Sequence, residues 1–285
     1  MVNTKTVRLA LLLIVVFGLG TVLVVVSRHA ETLRYTTVTM FDVGQGDSFF
    51  IQAKNGKQML IDGGKDTKAL AALAQTMPWG DRSIDVVVAT HPDMDHIGGL
   101  TSIIARYKIG MMLVSGVGGD TKEYEQLLTL VQKKRIPLYV ARAGMEVALS
   151  DTDTFTVLFP DRDVHDWETN TGSVVGKFTS GERSILFTGD SPAPIEQYLV
   201  KKQSKNLDID ILKLGHHGSR TSTTAALLKV ATPDLALISA GRDNSYGHPH
   251  KEVLTLLKQF SIPYVSTQTE GTVTFETDGT KWWRK

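Results

Sequence analysis

The chain contains no cysteine among its 285 residues. This absence excludes a disulfide framework, a thiolate metal site and a cysteine nucleophile. An excess of charge of one sign is also lacking, since 31 Lys and Arg face 30 Asp and Glu and the formal net charge is +1. A nucleic acid or an anionic membrane would therefore have to be met by a local patch, because the chain as a whole supplies no strong field.

No internal repeat and no low-complexity linker divides the sequence, which is typical of one globular body. Strand patterns come first in hairpins and later alternate with helix patterns, which predicts an α/β fold of stacked sheets covered by helices. The predicted strands are 36–41, 49–53, 58–61, 85–89, 155–159, 174–178, 185–188, 209–214, 235–239 and 273–276. The predicted helices are 67–77, 223–230 and 251–260, and Asp120 with Glu123 resembles a capping box that starts a further helix.

One long apolar run is present, from residue 9 to residue 26, and Lys5 and Arg8 precede it. Its length meets the lower limit for crossing a bilayer, which needs about 17–25 residues. The run predicts an N-terminal membrane anchor within 1–30, followed by a globular domain over 31–285. With Lys5 and Arg8 inside, that domain would lie outside the cytoplasm. A cleaved signal and a secreted protein, or a buried helix, are the alternatives.

A dense group of potential metal ligands follows the predicted strand 85–89. The segment His91-Pro92-Asp93-Met94-Asp95-His96 places four such side chains within six residues. Imidazole nitrogen and carboxylate oxygen suit zinc, manganese or iron, and the carboxylates favour harder ions. A merely solvated turn would not need two histidines, so the segment predicts a metal site.

Other polar residues also follow predicted strands. Asp62 ends the strand 58–61, Asp190 follows the strand 185–188, and His216 and His217 follow the strand 209–214. His248 lies in the loop after the strand 235–239. Polar residues at several strand ends meet at one edge of a sheet, where α/β sites are usually assembled.

These motifs, in this order and spacing, resemble those of the metallo-β-lactamase superfamily. The matching segments are 60–64, 91–96, 188–190 and 216–219. More narrowly, the segments 41–48, 212–219 and 246–249 resemble the hydrolase domain of the ComEC family of DNA-uptake competence proteins. The resemblance implies a four-layer αββα metallo-β-lactamase sandwich, and the apolar run 9–26 predicts one N-terminal transmembrane helix before it.

The resemblance also implies two adjacent divalent metal ions, zinc or manganese. One ion would use His91 and Asp93, the other would use Asp95, His96 and His217, and Asp190 would bridge both. Asp62, Asp95 and His248 are the expected catalytic residues. In this scheme Asp62 orients a ligand or the attacking water and does not hold metal. His217 is favoured over His216 as the ligand, which leaves His216 to face a substrate phosphate.

One departure from the superfamily concerns the first ion. A histidine usually precedes the segment 188–190, and the only histidine in that interval is His165, in a charged loop. Asn170, with Ser173 after it, instead matches the competence-type relatives. The first site is therefore expected to have weaker ligands, so that it either is occupied only when substrate arrives or binds manganese better than zinc, unless His165 supplies the missing ligand.

The expected activity is hydrolysis of a phosphodiester by a metal-activated water, with DNA as the substrate implied by the competence-type resemblance. His216, Ser219 and Asn170 are the predicted substrate-binding residues, and Lys213 or Arg220 either offsets substrate charge or is a surface charge. Hydrolysis of another ester, such as a phosphorylcholine ester or a lactone, is one alternative. A non-catalytic metal-binding module is the other. The sequence indicates no protein partner.

Overall fold

The computed structural model describes residues 34–285, and their strands are numbered here along the chain. The strands are β1 Thr36–Met40, β2 Phe49–Gln52, β3 Gln58–Ile61, β4 Ser83–Ala89, β5 Lys108–Val114, β6 Leu138–Val140, β7 Glu146–Ala148, β8 Asp153–Phe159, β9 Val175–Ser180, β10 Arg183–Phe187, β11 Ile211–Lys213, β12 Leu235–Ile238, β13 Tyr264–Ser266, β14 Val273–Thr277 and β15 Trp282–Arg284. They form an eight-stranded sheet in the order β15-β14-β1-β2-β3-β4-β5-β6 and a seven-stranded sheet in the order β13-β12-β11-β10-β9-β8-β7. We call them the first and the second sheet.

The helices cover the outer faces of the two sheets. They are α1 Lys68–Thr76, α2 Met94–Ile97, α3 Leu100–Arg106, α4 Lys122–Lys133, α5 Ala193–Gln203, α6 Ala225–Ala231, α7 Lys251–Gln259 and α8 Thr267–Glu270. Helices α1, α3 and α4 pack their apolar residues on the first sheet. Helices α5, α6 and α7 pack on the second sheet. The layer order is therefore helix, sheet, sheet, helix, and the predicted four-layer αββα sandwich is confirmed.

Each inner strand alternates its side chains between two apolar layers, because successive residues of a strand point to opposite faces. In β2, Phe49 and Ile51 point into the layer between the sheets, whereas Phe50 packs under the helices. In β10, Phe187 enters the same central layer, and its ring lies 5.1 Å from that of Phe49 across the two sheets. Strands that are buried on both faces explain the continuous apolar runs of the sequence.

Parallel pairing brings the functional segments to one edge. Strands β3, β4 and β5 are parallel neighbours in the first sheet, and β10, β11 and β12 are parallel neighbours in the second. The carboxyl ends of parallel strands lie at the same edge of a sheet. The loops after β3, β4, β10, β11 and β12 carry the polar residues singled out from the sequence.

The predicted strands and helices are present, with ends that differ by about two residues or fewer. The cap of α4 was predicted one residue early: the side chain of Thr121, not Asp120, accepts the backbone N–H of Tyr124. Strands β5, β6, β7, β13 and β15 and helices α2, α5 and α8 were not predicted.

The predicted membrane anchor over residues 1–30 lies outside the described residues. The boundary of the globular domain at residue 31 does so as well, and both stay predictions. Within residues 34–285, no helix combines the length and the apolar composition that crossing a bilayer requires.

Candidate metal centre

Four buried side chains converge at the edge where the strands end. Asp47, His96, Asp190 and His217 each place a ligand atom within 4.8 Å of those of the other three. None of the four residues exposes more than 2% of its surface. They come from segments far apart in the chain, before β2 and after β4, β10 and β11. The centre is thus assembled from both sheets.

Asp62 fixes the orientation of the His96 ring. It follows β3 with a φ of 59°, a backbone conformation that is costly for a residue with a side chain. Its carboxylate accepts the backbone N–H and the hydroxyl of Thr90 at 2.8 and 2.7 Å, and it lies 2.7 Å from Nδ1 of His96. The other ring nitrogen of His96, Nε2, therefore faces Oδ1 of Asp190 at 3.3 Å.

The backbone carbonyl of Ser239 fixes the second histidine in the same way. Nδ1 of His217 lies 2.9 Å from this oxygen. Nε2 is therefore left to face the centre, 3.2 Å from Oδ2 of Asp95 and 3.3 Å from Oδ2 of Asp190. His217 and His216 both have positive φ, 56° and 49°. Such backbone strain at a cluster of polar residues is typical of functional sites.

A second group of potential ligands lies on the other side of Asp190. Nε2 of His91 is 3.7 Å from Oδ2 of Asp93 and 4.0 Å from Oδ2 of Asp190, while Nε2 of His216 is 3.8 Å from the same Asp190 oxygen. Burial and the neighbouring His96 lower the pKa of His91 to about 3. Asp190 is thus within 4.0 Å of histidines in both groups.

The donor set fits divalent metal ions. Nε2 of His91, His96 and His217 and Oδ1 of Asp190 are buried and make no well-formed hydrogen bond with any residue of 34–285. A metal bound at about 2.0–2.2 Å spaces its tetrahedral ligands about 3.4 Å apart. The separations of 3.2–3.3 Å around His96, His217 and Asp190 match that spacing. Nitrogen and carboxylate ligands are those that zinc and manganese accept.

The protein alone holds this centre together by opposite charges. Although burial disfavours a charged imidazole, the carboxylate of Asp190 raises the pKa of both His96 and His217 well above the ordinary value. Burial likewise opposes ionisation of Asp190, but the two histidines hold its pKa well below the usual range. The pKa of Asp95 is also lowered, against burial, chiefly by the neighbouring imidazole of His217. Because both pKa values are raised, a divalent ion would compete with protons for these two histidines.

Lys213 is not the surface charge or substrate contact that the sequence suggested. Only 1% of its surface is exposed. Its ammonium group contacts Oδ2 of Asp47, donates to the carbonyl of Gly189 at 2.8 Å and lies 3.6 Å from Oδ1 of Asp190. Burial disfavours its charge, but the carboxylate of Asp47 raises its pKa. A lysine inside the apolar run Ile211-Leu212-Lys213-Leu214 was the signal for a buried role.

Asp47 is the member of the cluster that the sequence analysis did not select. Its Oδ1 lies 3.3 Å from Nδ1 of His217, so it stands behind that histidine. Gly46, the residue before Asp47, has a φ of 127°. A Cβ atom on Gly46 would lie 2.1 Å from the carbonyl oxygen of Asp95. Only glycine fits there. The carbonyl of Gly46 accepts the Ser239 hydroxyl at 2.7 Å and so joins the two sheets.

His248 lies beside the histidines of the centre. Its ring centroid is 5.3 Å from that of His216 and 6.1 Å from that of His217. Burial and the neighbouring histidines lower the pKa of His248 to about 4, so the ring is neutral at pH 7. Its Nδ1 is buried and has no hydrogen-bond partner within residues 34–285. A catalytic role for His248 stays a prediction, and its position beside the cluster is compatible with one.

The remaining predicted residues differ in their relation to the centre. Ser219 is buried, and its hydroxyl accepts from the hydroxyl of Thr221 at 3.0 Å. Asn170 has a buried Oδ1 without a partner among the described residues, and the backbone carbonyl of Asn170 accepts the N–H of Ser173. Substrate-binding roles for Ser219 and Asn170 stay predictions. His165 is exposed and its ring lies against Gly118, outside the buried cluster.

Comparison with known proteins gives a consistent family. Residues 41–242 match the family described as the metallo-beta-lactamase superfamily. The chain is similar to ComE operon protein 3 of Bacillus subtilis, with 31% identity over 256 residues, which are 84% of this chain and 32% of that protein. It is also similar to Recombination protein 2 of Haemophilus influenzae, with 31% identity over 241 residues, 83% of this chain and 28% of that protein.

The chain thus spans less than a third of the length of these curated relatives. Among solved structures, it is similar to CmlA, a diiron beta-hydroxylase from Streptomyces venezuelae, with a TM-score of 0.54 and 15% identity. That match covers 84% of this chain and 54% of CmlA. At this identity the likeness concerns the fold alone.

Proposed function

The chain belongs to the metallo-beta-lactamase superfamily of metal-dependent hydrolases, and from that membership and the geometry of the centre we propose that it is a phosphodiesterase that cleaves DNA. The resemblance seen in the sequence motifs is thereby confirmed at the level of the superfamily. The observation that carries the activity is the convergence of buried histidine and aspartate atoms from both sheets without well-formed hydrogen bonds among the described residues.

We propose that two divalent ions, zinc or manganese, bind here. His96, His217, Asp95 and Asp190 would hold one ion, and His91, Asp93 and Asp190 would hold the other. When bound, such ions lower the pKa of water and neutralise charge on a phosphodiester. The site of His91 and Asp93 has weaker ligands, because Asn170 stands where the superfamily usually has a histidine and because 37% of the Asp93 side chain is exposed.

The residues of the chain have distinct tasks in this proposal. Asp62 and Thr90 keep Nδ1 of His96 engaged, so that Nε2 presents its lone pair to the centre. Lys213 and Asp47 do not reach the substrate; they support His217 and Asp190 from behind. His248 is neutral at pH 7 and can donate a hydrogen bond to an oxygen of the substrate phosphate.

DNA is proposed because of the relatives and the motifs and not because of overall charge. Two similar proteins are named ComE operon protein 3 and Recombination protein 2. In addition, the segments 41–48, 212–219 and 246–249 resemble the ComEC family of DNA-uptake competence proteins. Membrane attachment and an extracytoplasmic location follow from the same resemblance and from residues 1–30, and they are proposals of the same kind. A net charge of +1 leaves nucleic-acid contact to local groups.

The test uses the full-length protein in detergent, stripped with EDTA and reloaded with manganese or zinc. We expect it to degrade single-stranded DNA, and we expect Asp190→Ala to lower the rate by at least about 100-fold. Loss of residues that merely orient ligands already costs about 10–100-fold, and Asp190 lies nearer the ions than those residues. Asp151→Ala is the matched control, because Asp151 is an exposed aspartate in a turn away from the centre.

The outcomes separate the candidate functions. Degradation by the parent and by Asp151→Ala, but not by Asp190→Ala, supports the proposal. Hydrolysis of bis(p-nitrophenyl) phosphate without any cleavage of DNA would replace DNA by a small phosphate ester. A folded, metal-loaded protein that hydrolyses neither substrate would overturn the proposed activity.

A further inference from the structure

A cleft of about 330 Å³ opens beside Asp95 at the edge of the metal centre. The side chains that line it include the apolar Met94 and Tyr246 and the polar Gln45, Lys65 and Asn244. Met94 exposes 42% of its surface and Tyr246 exposes 64%, although most large apolar residues of 34–285 are buried. Exposed apolar groups beside a reaction centre mark a surface that receives a ligand.

The ring of Tyr246 continues a column of rings that leads to the centre. It stacks on His248 with the centroids 5.6 Å apart and the planes inclined by 20°. His248 in turn lies 6.1 Å from the proposed ligand His217. One face of the Tyr246 ring is therefore covered by His248, and the high exposure of the residue places the other face at the cleft and the solvent.

Hydrogen bonds fix the loop that carries Tyr246 at Gly241 and at His248. The Asn244 side chain donates to the carbonyls of Gly241 and His248 at 2.8 and 2.6 Å and accepts the N–H of His248 at 2.9 Å. Gln268 donates to the same two carbonyls at 2.7 and 2.8 Å. An aromatic ring on a loop fixed in this way loses little freedom when a flat ligand stacks on it.

The charges in the cleft indicate which part of a nucleotide fits there. Asp243 and Lys65 both line it and carry opposite charges, while Asp95, the third charged residue of the lining, is a ligand in the proposed metal site. The outer part of the cleft therefore offers no excess of positive charge to hold a phosphate. A neutral base is favoured, since its face stacks on an aromatic ring and its amino groups donate to carboxylate and amide oxygens.

We propose that this cleft holds one unpaired nucleobase next to the scissile phosphate, with Tyr246 as its stacking platform. This inference rests on the proposed function and narrows its substrate to single-stranded DNA or an unpaired end. A base inside a duplex is stacked and paired, so it would have to leave the helix before it reached Tyr246. Stacking is tolerant of sequence, so little preference among the four bases is expected.

Equilibrium binding tests the inference without turnover. The probe is a fluorescein-labelled thymidine octamer with phosphorothioate linkages, measured by anisotropy against the full-length, manganese-loaded protein. We expect Tyr246→Ala to weaken binding about tenfold, as for other stacked bases, and Tyr246→Phe to restore it to within about twofold because the ring is retained. Tyr139→Ala is the matched control, since Tyr139 exposes 49% of its surface on β6.

An octamer of the same backbone without bases completes the experiment. We expect the parent protein to bind it about tenfold more weakly than the thymidine octamer, and Tyr246→Ala to cause no further loss. Equal weakening of both octamers by Tyr246→Ala would overturn the inference, as would duplex DNA binding as tightly as single strands. If Tyr246→Ala weakens binding of the thymidine octamer only, and no DNA is cleaved, the inference is kept and the nuclease activity is refuted. If DNA is cleaved but Tyr246→Ala weakens both octamers equally, the nuclease activity is kept and the inference is refuted.

Discussion

Lys213 ends β11 with its ammonium group enclosed by Asp47, Asp190 and the carbonyl of Gly189. A charge in such a place is tolerated only with partners of opposite sign. The lysine therefore balances the carboxylates that would otherwise repel one another beneath the centre. It also connects β11 to the loop after β10, from which Asp190 projects.

Replacing this lysine tests how far the buried pair supports the fold. We expect Lys213→Met to lower the free energy of unfolding by about 3–5 kcal/mol, because the buried carboxylates of Asp47 and Asp190 lose the ammonium group that lies beside both. Urea denaturation of the metal-free protein measures the loss. Lys205→Met, at an exposed lysine, is the matched control.

The double variant Asp47→Asn with Lys213→Met distinguishes the cause. If the charge left on Asp47 is responsible, its neutralisation recovers part of the lost stability. A double variant that is no more stable than Lys213→Met would contradict the explanation and point to lost packing of the lysine stem instead.

Site residues that are grouped in the sequence were predicted from it. Site residues that only tertiary structure brings to the centre were not. The four candidate ligands of 91–96 are adjacent in the chain, so their grouping does not depend on tertiary structure. Asp47 approaches His217 only because two sheets meet. The burial of Lys213 likewise depends on the covering loops, and residue type alone predicts exposure for lysine.

At the scale of elements, helix α6 depends on a residue from its neighbour α5. The carboxylate of Glu196 accepts the backbone N–H groups of Thr223 and Thr224 at 2.6 and 2.7 Å. Only 1% of Glu196 is exposed, and burial raises the pKa of its carboxyl. These two N–H groups precede the first turn of α6 and would otherwise be buried without acceptors.

The substitution Glu196→Gln removes one of the two acceptor oxygens while keeping the shape. We expect it to lower the free energy of unfolding by about 1–3 kcal/mol, because one buried N–H then faces an amide NH₂ group. Thermal unfolding followed by circular dichroism measures the change. Glu125→Gln, at an exposed position of α4, is the matched control; equal effects of the two substitutions would show that the capping contacts are unimportant.

The elements that the sequence analysis missed lack the usual local signals. Strand β5 contains Gly110, and a glycine weakens the sequence pattern of a strand. Glycine is nevertheless required there, because a Cβ atom would collide with the backbone carbonyl of Asp85. Helix α5 has Pro194 at its start, where proline is favoured, but it shows only weak amphipathic spacing. In both cases packing against neighbours, and not intrinsic preference, decides the conformation.

At the scale of the whole molecule, candidate ligands from both sheets meet at the metal centre. His91, Asp93, Asp95 and His96 follow a strand of the first sheet, and Asp190 and His217 follow strands of the second. A bound ion would therefore tie the two sheets together at their common edge. Ligands that bind only the folded chain stabilise it by mass action.

We expect manganese or zinc, at a fixed concentration of about 100 times its dissociation constant at pH 8, to stabilise the metal-free protein at that pH by about 2.7 kcal/mol. For a domain of this size the increase in Tm is about 5–10 °C. At the same metal concentration, the increase in Tm on adding metal is expected to be larger at pH 8 than at pH 6. His96 and His217, whose pKa values are raised, must lose protons before they bind metal.

The same protonation makes the stability of the metal-free protein depend on pH. A histidine whose pKa is raised on folding stabilises the protein below its unfolded pKa of about 6.5, and this contribution is lost as the pH rises through the folded pKa. Differential scanning calorimetry with and without EDTA at both pH values provides the measurement. A gain in Tm that is equal at pH 6 and pH 8 would contradict the assignment of His96 and His217 as protonated partners of Asp190.

The pairing of β1 with β14 has a consequence for the synthesis of the protein. The two strands lie side by side through the whole length of β1, and Thr39 and Thr274 are linked across 235 positions of the chain. The first sheet therefore cannot be closed while the ribosome is still adding the second. Until β14 emerges, one side of β1 is a bare strand edge that invites pairing with other chains. The time during which this edge is exposed is therefore set by how quickly residues up to β14 are added to the chain.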